Sequence, residues 1–136
     1  MRADAWTCDP RAMLRCLIVD DSHRFLEAAR GLLERQGVTV VGVASSSAEA
    51  LRRVQELHPD VTLLDIDLGG ESGLALARRL HDRGGGAGVP VILISTHAEQ
   101  DYAELIAASP AIGFLPKTSL SGDAIRHLLD GRRDGG

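Results

Sequence analysis

Seven residues of this chain have types and spacings that could do chemistry together. Asp20 and Asp21 close one apolar run, Asp65 closes another with Asp67 two residues on, Ser95 and Thr96 close a third, and Lys117 follows a fourth. Carboxylates brought into one cleft repel, at about 4 kcal/mol for two unit charges roughly 4 Å apart at an effective dielectric near 20. Something cationic must offset that cost. An oxygen-only donor set of carboxylates, a carbonyl and water suits Mg²⁺ better than Zn²⁺. Lys117 supplies a second offset and is the sole lysine among 15 basic residues, the other fourteen being arginine. An ammonium is a compact point charge on a flexible stem, whereas a guanidinium is a broad planar fork, so a site of small radius selects lysine. Taken singly, Asp21 or the Ser95–Thr96 pair could cap a helix, and Asp67 could be a solvated loop acid. The adjacent acid pair, a third acid and the isolated lysine together exceed what capping explains.

The elements that would carry these residues follow from periodicity. Residues 14–20 form a strand, and Phe25, Leu26, Ala29, Leu32 and Leu33 share one helical face before Gly37 ends the helix. Residues 38–44 form a β-branched strand, and Ser46 with Glu49 makes a capping box for a helix carrying Ala50, Leu51, Val54 and Leu57. Val61–Asp65 is the third strand. Gly69, Gly70 and Gly73 mark a loop, and the following helix turns Leu74, Ala77 and Leu80 inward. After a flexible GGGAG connection at 84–88 come a fourth strand at 89–95, a helix capped by Thr96 and Glu99, and a short strand at 112–115. A last helix starts near Ser121, carries Ile125, Leu128 and Leu129, and ends at Gly131. Strands this continuously apolar are buried on both faces, which predicts an α/β sandwich around a parallel five-stranded sheet. Right-handed crossovers place every strand's C-terminal end on one rim, so the seven residues converge there.

Composition narrows the function classes. At 136 residues the chain suits one domain with one core, and 44% hydrophobic and 25% charged residues argue against disorder of its bulk. A net charge of −4 without any basic stripe disfavours direct nucleic-acid binding. The apolar runs are of strand length, too short to span a membrane, and the first twelve residues lack a signal-peptide pattern. Cys8 and Cys16 form neither a disulfide framework nor a metal pair, which suits a reducing cytoplasm, and Cys16 reads as core. His23, His58, His81, His97 and His127 are scattered without ligand-like spacing.

CLIVDDS at 16–22, PDVTLLDIDLGGESG at 59–73, PVILIST at 90–96 and GFLPK at 113–117 resemble, in order and spacing, the receiver domain of two-component response regulators. The resemblance covers residues 13–131, with 1–12 expected as a flexible tail and 132–136 as a disordered one. It implies a flavodoxin-like (βα)5 doubly wound sandwich with strand order 2-1-3-4-5. It also implies that Asp65 accepts a phosphoryl group from a sensor histidine kinase or phosphotransfer protein. Mg²⁺ would be held by Asp21 and Asp65, by Asp20 through water, and by the Asp67 backbone carbonyl. Ser95 and Lys117 would contact phosphoryl oxygens. Phe114 would then turn inward and alter the face of the fourth helix, fifth strand and fifth helix toward an output partner.

Such a domain is a cytoplasmic signalling module with at most slow autodephosphorylation, not an enzyme. Two departures stand out: Gly69 and Thr118 occupy places where many receivers have proline. GFLPK followed by Thr118, Ser119 and Leu120 is closest to receivers of LuxR/NarL-type transcription regulators. The chain is expected to act through partners or with an effector region located elsewhere, and pairing through Ile125, Leu128 and Leu129 would give a homodimer. Asp67 and His97 are expected to govern water access to the acyl phosphate. The alternatives are a haloacid-dehalogenase-type phosphohydrolase, suggested by the D-x-D of LLDIDLGG, and an inert pseudo-receiver that only binds partners.

Overall fold

The computed structural model describes residues 14–83, 90–96 and 103–135. Five parallel strands, β1 (Arg15–Val19), β2 (Thr39–Ala44), β3 (Val61–Asp65), β4 (Val91–Ser95) and β5 (Gly113–Pro116), lie in the order β2-β1-β3-β4-β5. Five helices connect or follow them: α1 (His23–Arg35), α2 (Ser47–Leu57), α3 (Gly73–Arg83), α4 (Ala103–Ala107) and α5 (Gly122–Gly135). This is the flavodoxin-like order expected from the sequence.

The period of two along each strand divides the core. Cys16 and Ile18 of β1, Val61 and Leu63 of β3, and Ile92 and Ile94 of β4 pack with Leu26, Ala29 and Leu33 of α1 and Ile125 of α5. Leu17 and Val19, Leu64, and Val91 and Leu93 turn to the opposite face, against Ala50 and Leu51 of α2 and Leu76, Ala77 and Leu80 of α3. Both faces of the sheet are therefore covered, as apolar parallel strands require. Cys16 belongs to this core, and burial pushes its thiol up to about 12, so it packs as an unreactive thiol.

Helix ends are closed by identifiable groups. The hydroxyls of Ser22, Ser46 and Ser121 accept hydrogen bonds from the N–H groups of Phe25, Glu49 and Ala124. The Ser46 cap is as expected, but the Glu49 carboxylate reaches back one residue further, to the N–H of Ser45 at 2.9 Å. That bond is the main cause lowering the pKa of Glu49. At the other end of α2, where the carbonyls lack helical partners, the Arg15 guanidinium donates to the carbonyls of Leu57 and His58 at 2.7 and 2.8 Å. Gln36 accepts from the N–H of Gly122 and so ties the end of α1 to the start of α5.

Two expectations change. Helix α5 does not end at Gly131 but continues to Gly135, so residues 132–135 are helical and not a disordered tail. Glycine weakens a helix without breaking it, and nothing lies within 4 Å of the position a Gly131 Cβ would take. Ile125 is fully buried and Leu128 and Leu129 pack half-buried on the same core, so these residues dock α5 on the sheet. The 1–12 tail, the GGGAG connection, Glu99 and His97 lie outside the described residues. Among the described residues, no helix is long and apolar enough to cross a membrane.

Gly73 and Gly131 should respond in opposite directions to alanine. A Cβ on Gly73 would sit 2.0 Å from the Asp65 carbonyl oxygen, where α3 starts against the end of β3. Gly73→Ala is expected to lower unfolding free energy by about 3 kcal/mol or more through forced backbone displacement. Gly131→Ala is expected to raise it by about 0.5–1 kcal/mol. Urea titrations followed by circular dichroism measure both.

Candidate functional site

The C-terminal rim of the sheet gathers Asp20, Asp21, Asp65, Ser95 and Lys117. Asp20 follows β1 directly and is fully buried, its N–H donating to the Ala44 carbonyl at 3.0 Å. Its Oδ1 accepts from the Ser22 N–H at 2.8 Å. Ser22, not Asp21, caps α1, which leaves the exposed Asp21 carboxylate free of that duty. Asp65, 6% exposed, ends β3 and receives the Asp67 N–H on Oδ1 at 3.1 Å. One oxygen from each of Asp20, Asp21 and Asp65 lies within 4.8 Å of the others. Ser95, 3% exposed, ends the neighbouring β4.

Lys117 enters from the end of β5. Its Nζ stands 2.5 Å from Asp20 Oδ2 and 3.2 Å from Asp65 Oδ2. It also sits 4.4 Å from the centre of the Phe25 ring, within cation–π range. Burial works against the Lys117 charge, yet the hydrogen bond to Asp20 and the Asp65 and Asp20 charges outweigh it, and the pKa is raised. Burial is also the main influence on Asp65 and pushes its carboxyl up to about 6; the Asp20 charge adds to the rise, while the Asp67 N–H and Lys117 oppose it. Two buried carboxylates thus share one ammonium.

The donor set fits a hard divalent cation. It is all oxygen, it carries more negative charge than Lys117 cancels, and Asp21 gives it a solvent-facing side. Asp20 Oδ2 is buried without a hydrogen bond of regular geometry, facing only the ammonium charge. Such an atom is costly unless a further positive partner approaches.

The loop between Asp65 and α3 is more ordered than its glycines suggest. Asp67 pairs with Ser72 and Leu68 with Glu71 in a small antiparallel ribbon. Gly69 and Gly70 turn it with φ of +57° and +101°. Both values positive is the signature of a type I′ hairpin, for which Gly-Gly is a favoured sequence. The position a Gly69 Cβ would take is 2.7 Å from Asp21 Oδ2, so this turn lies directly against the acid cluster.

Sequence reasoning placed the acids, Ser95 and Lys117 at one rim, and the structure brings them there. It missed Phe25 as a Lys117 contact, because helical periodicity marks a core face without saying which atoms lie over it. It also missed the ribbon, for which the Gly-Gly pair was the available signal. Phe114, expected to turn inward on phosphorylation, is already buried, packed beside Leu93 on the α2–α3 side of the sheet.

A family model described as the response regulator receiver domain matches residues 16–129. The chain is 34% identical over 125 residues to the uncharacterized transcriptional regulatory protein YvfU of Bacillus subtilis, covering 89% of this chain and 62% of that protein. It is 30% identical to the transcriptional regulatory protein DesR of the same organism, covering 89% and 61%. Among solved structures it resembles a two-component response regulator of the LuxR family from Aurantimonas, with a TM-score of 0.76, 26% identity, and 90% and 86% coverage. A signal receiver domain from Mycobacterium tuberculosis superposes with a TM-score of 0.74 at 30% identity, covering 89% and 97%. The chain belongs to the response regulator receiver domain family, the phosphoryl-accepting signalling module of two-component systems. It spans about three fifths of the length of the two Bacillus proteins. Neither the phosphohydrolase nor the inert-module reading is favoured by these relatives.

The raised Asp65 pKa fixes a sign for stability. Because the folded carboxyl holds its proton up to about pH 6, its ionisation costs nothing below about pH 4 and its full amount above about pH 6. Asp65→Asn is therefore expected to stabilise the metal-free protein at pH 7.5 by about 1–2 kcal/mol, a figure reduced for partial solvent screening. The advantage should shrink as pH falls from 6 to 4. Unfolding curves in chelator at several pH values test this, and a difference independent of pH would contradict it.

Proposed function

We propose that Asp65 is the phosphoacceptor of this receiver and that Lys117 and Ser95 bind the transferred group. The observation that carries this is the position of Lys117 Nζ, bridging Asp20 and Asp65 at the rim where three carboxylates converge. An Asp65 carboxylate oxygen attacks the phosphorus of a phosphohistidine on a sensor kinase or phosphotransfer protein. The P–N bond breaks, the imidazole leaves and takes up a proton, and an acyl phosphate forms. Mg²⁺, held by Asp21, Asp65 and the Asp67 carbonyl with Asp20 through water, would neutralise phosphoryl oxygens. Such transfer needs positioning and charge compensation more than covalent assistance from the protein.

Lys117 is already within reach of the atom that reacts, so it transfers its contact from Asp65 Oδ2 to a phosphoryl oxygen with a short displacement of a flexible stem. The Ser95 hydroxyl, at the end of β4 beside Asp65, donates to another. Drawing both toward the phosphoryl group shifts β4 and β5 relative to α4. Phe114 is buried on β5 in this conformation, so phosphorylation is read as increasing the occupancy of the inward arrangement, not as creating it. The α4–β5–α5 face is the output surface, and the transcriptional regulators among the relatives suggest transcriptional control as the eventual output. The setting is the cytoplasm, and hydrolysis of the acyl phosphate by the domain itself is slow.

Incubating the protein with a small acyl phosphate and Mg²⁺ and weighing it intact should show one added phosphoryl group, absent in Asp65→Ala. Lys117→Arg, which keeps the charge and changes its shape, is expected to slow phosphorylation at least about tenfold. An adduct that persists in Asp65→Ala, or continuous turnover of phosphate esters, would refute the assignment.

A further inference from the structure

We propose that Glu71 is a positioning residue whose carboxylate latches the β3–α3 loop to the first turn of α2, and so holds the Asp67 and Gly69 backbone against the acid cluster. The proposal rests on the receiver reading for the purpose of that positioning. Its basis is a contact spanning 24 residues: Glu71 Oε1 accepts the Ser47 N–H at 2.9 Å.

Ser47 is the first residue of α2, where the backbone N–H has no partner inside the helix. Two neighbouring donors of this end are engaged elsewhere. Ser46 Oγ takes the Glu49 N–H, and the Glu49 carboxylate takes the Ser45 N–H. Glu71 thus satisfies the Ser47 donor and places a negative charge at the positive end of the helix dipole.

The loop needs such a restraint. Its ribbon has two residue pairs, far below what holds a hairpin together in water, and its turn consists of the two most permissive residues available. One strand carries Leu68, 3% exposed and packed among α2 and α3 side chains. The strand partner of Leu68 is Glu71, so core packing on one side and the Ser47 bond on the other clamp the ribbon across its width. Ser72 then caps the start of α3 by accepting the Ala75 N–H. The turn between Leu68 and Glu71 is the segment that meets Asp21, and its first strand begins with Asp67. With Gly69 and Gly70 at its turn, the loop is held by a carboxylate that also serves the start of the neighbouring helix.

The contact can be cut from either side. Glu71→Ala removes the acceptor. Ser47→Pro removes the donor at a helix position that tolerates proline, and the preceding Ser46 is extended at φ −147° and ψ 166°, as a residue before proline prefers. Mg²⁺ affinity by calorimetry and hydrogen exchange of the ribbon amides of residues 67–72 are to be measured on wild type, both single variants and the double variant, with circular dichroism as the check on folding. Each single variant should bind Mg²⁺ about three- to tenfold more weakly, the loss of one charge-assisted hydrogen bond, and exchange the ribbon amides faster. The double variant should be no worse than the singles. Single variants that match wild type in both readouts, or losses that add in the double variant, overturn the latch. Wild-type protein that binds no Mg²⁺ overturns the receiver reading and the positioning role with it, whereas variant-only results bear on the latch alone.

Discussion

One ammonium set between two buried carboxylates is the constraint on which the rest of this protein depends. Lys117 offsets Asp20 and Asp65 only in part, and the exposed Asp21 adds a third negative charge within the same small volume. The incompleteness is what makes the arrangement useful. A fully neutralised cluster would have no affinity for a further cation, and an uncompensated one would protonate or fall apart. The Asp65 carboxyl, raised to about 6, is near the limit at which it still carries its charge at neutral pH. A carboxylate held in this condition gains from any cation that approaches it, which links cation binding and fold stability through one side chain.

The sheet delivers these groups to one rim, but delivery alone would not keep them available. Helices α1, α2 and α3 also begin at that rim, and each helix start presents N–H groups that attract carboxylates. Serine meets this demand in all three. Ser22, Ser46 and Ser72 each accept an N–H from the residue three positions on. Capping by hydroxyl spares the acids of the cluster. Asp20 and Asp65 each give one oxygen to a nearby backbone N–H, at Ser22 and Asp67, and keep the other for Lys117. The local helix signals and the chemistry of the site are therefore one arrangement, in which the choice of serine over aspartate at the caps decides which carboxylates remain reactive.

The strands were legible because burial on both faces writes itself as continuous Val, Ile and Leu, and the boundaries of Val61–Asp65 follow directly from where that run meets acid. The site residues were legible because each stands at the end of such a run. What could not be seen depended on neighbours brought close only by folding. Arg15 closes the carbonyls of Leu57 and His58 more than forty residues away. Phe25 was assigned to a helical face correctly, and its closeness to Lys117 depends on how α1 sits over β5's end. Gly-Gly at 69–70 was taken as loop because four flanking residues are too few to display strand periodicity, although the pair itself is a hairpin turn signal. Gly131 misled in the other direction, since a glycine stop works through a left-handed conformation and Gly131 is simply helical.

The single lysine in an arginine-rich chain follows from the dimensions of the place it occupies. Its Nζ must face two carboxylates on different strands at 2.5 and 3.2 Å while the Phe25 ring closes the third side at 4.4 Å, and the side chain retains 13% exposure. A tetrahedral ammonium can direct three donors at three such neighbours. A planar guanidinium would pair both arms with one carboxylate, leaving the other uncompensated, or stack flat on the ring and turn its donors away from at least one acid. The ammonium is also free to exchange one oxygen for another by rotation about its own stem, where a bidentate fork would have to break two parallel bonds at once. On the proposed reading, in which Lys117 leaves Asp65 for an arriving phosphoryl group, the weaker, rotatable partner serves the site better. Elsewhere on this molecule, where a cation has only to cap a helix or meet a surface acid, as Arg15, Arg30 and Arg53 do, that restriction is absent and arginine is used.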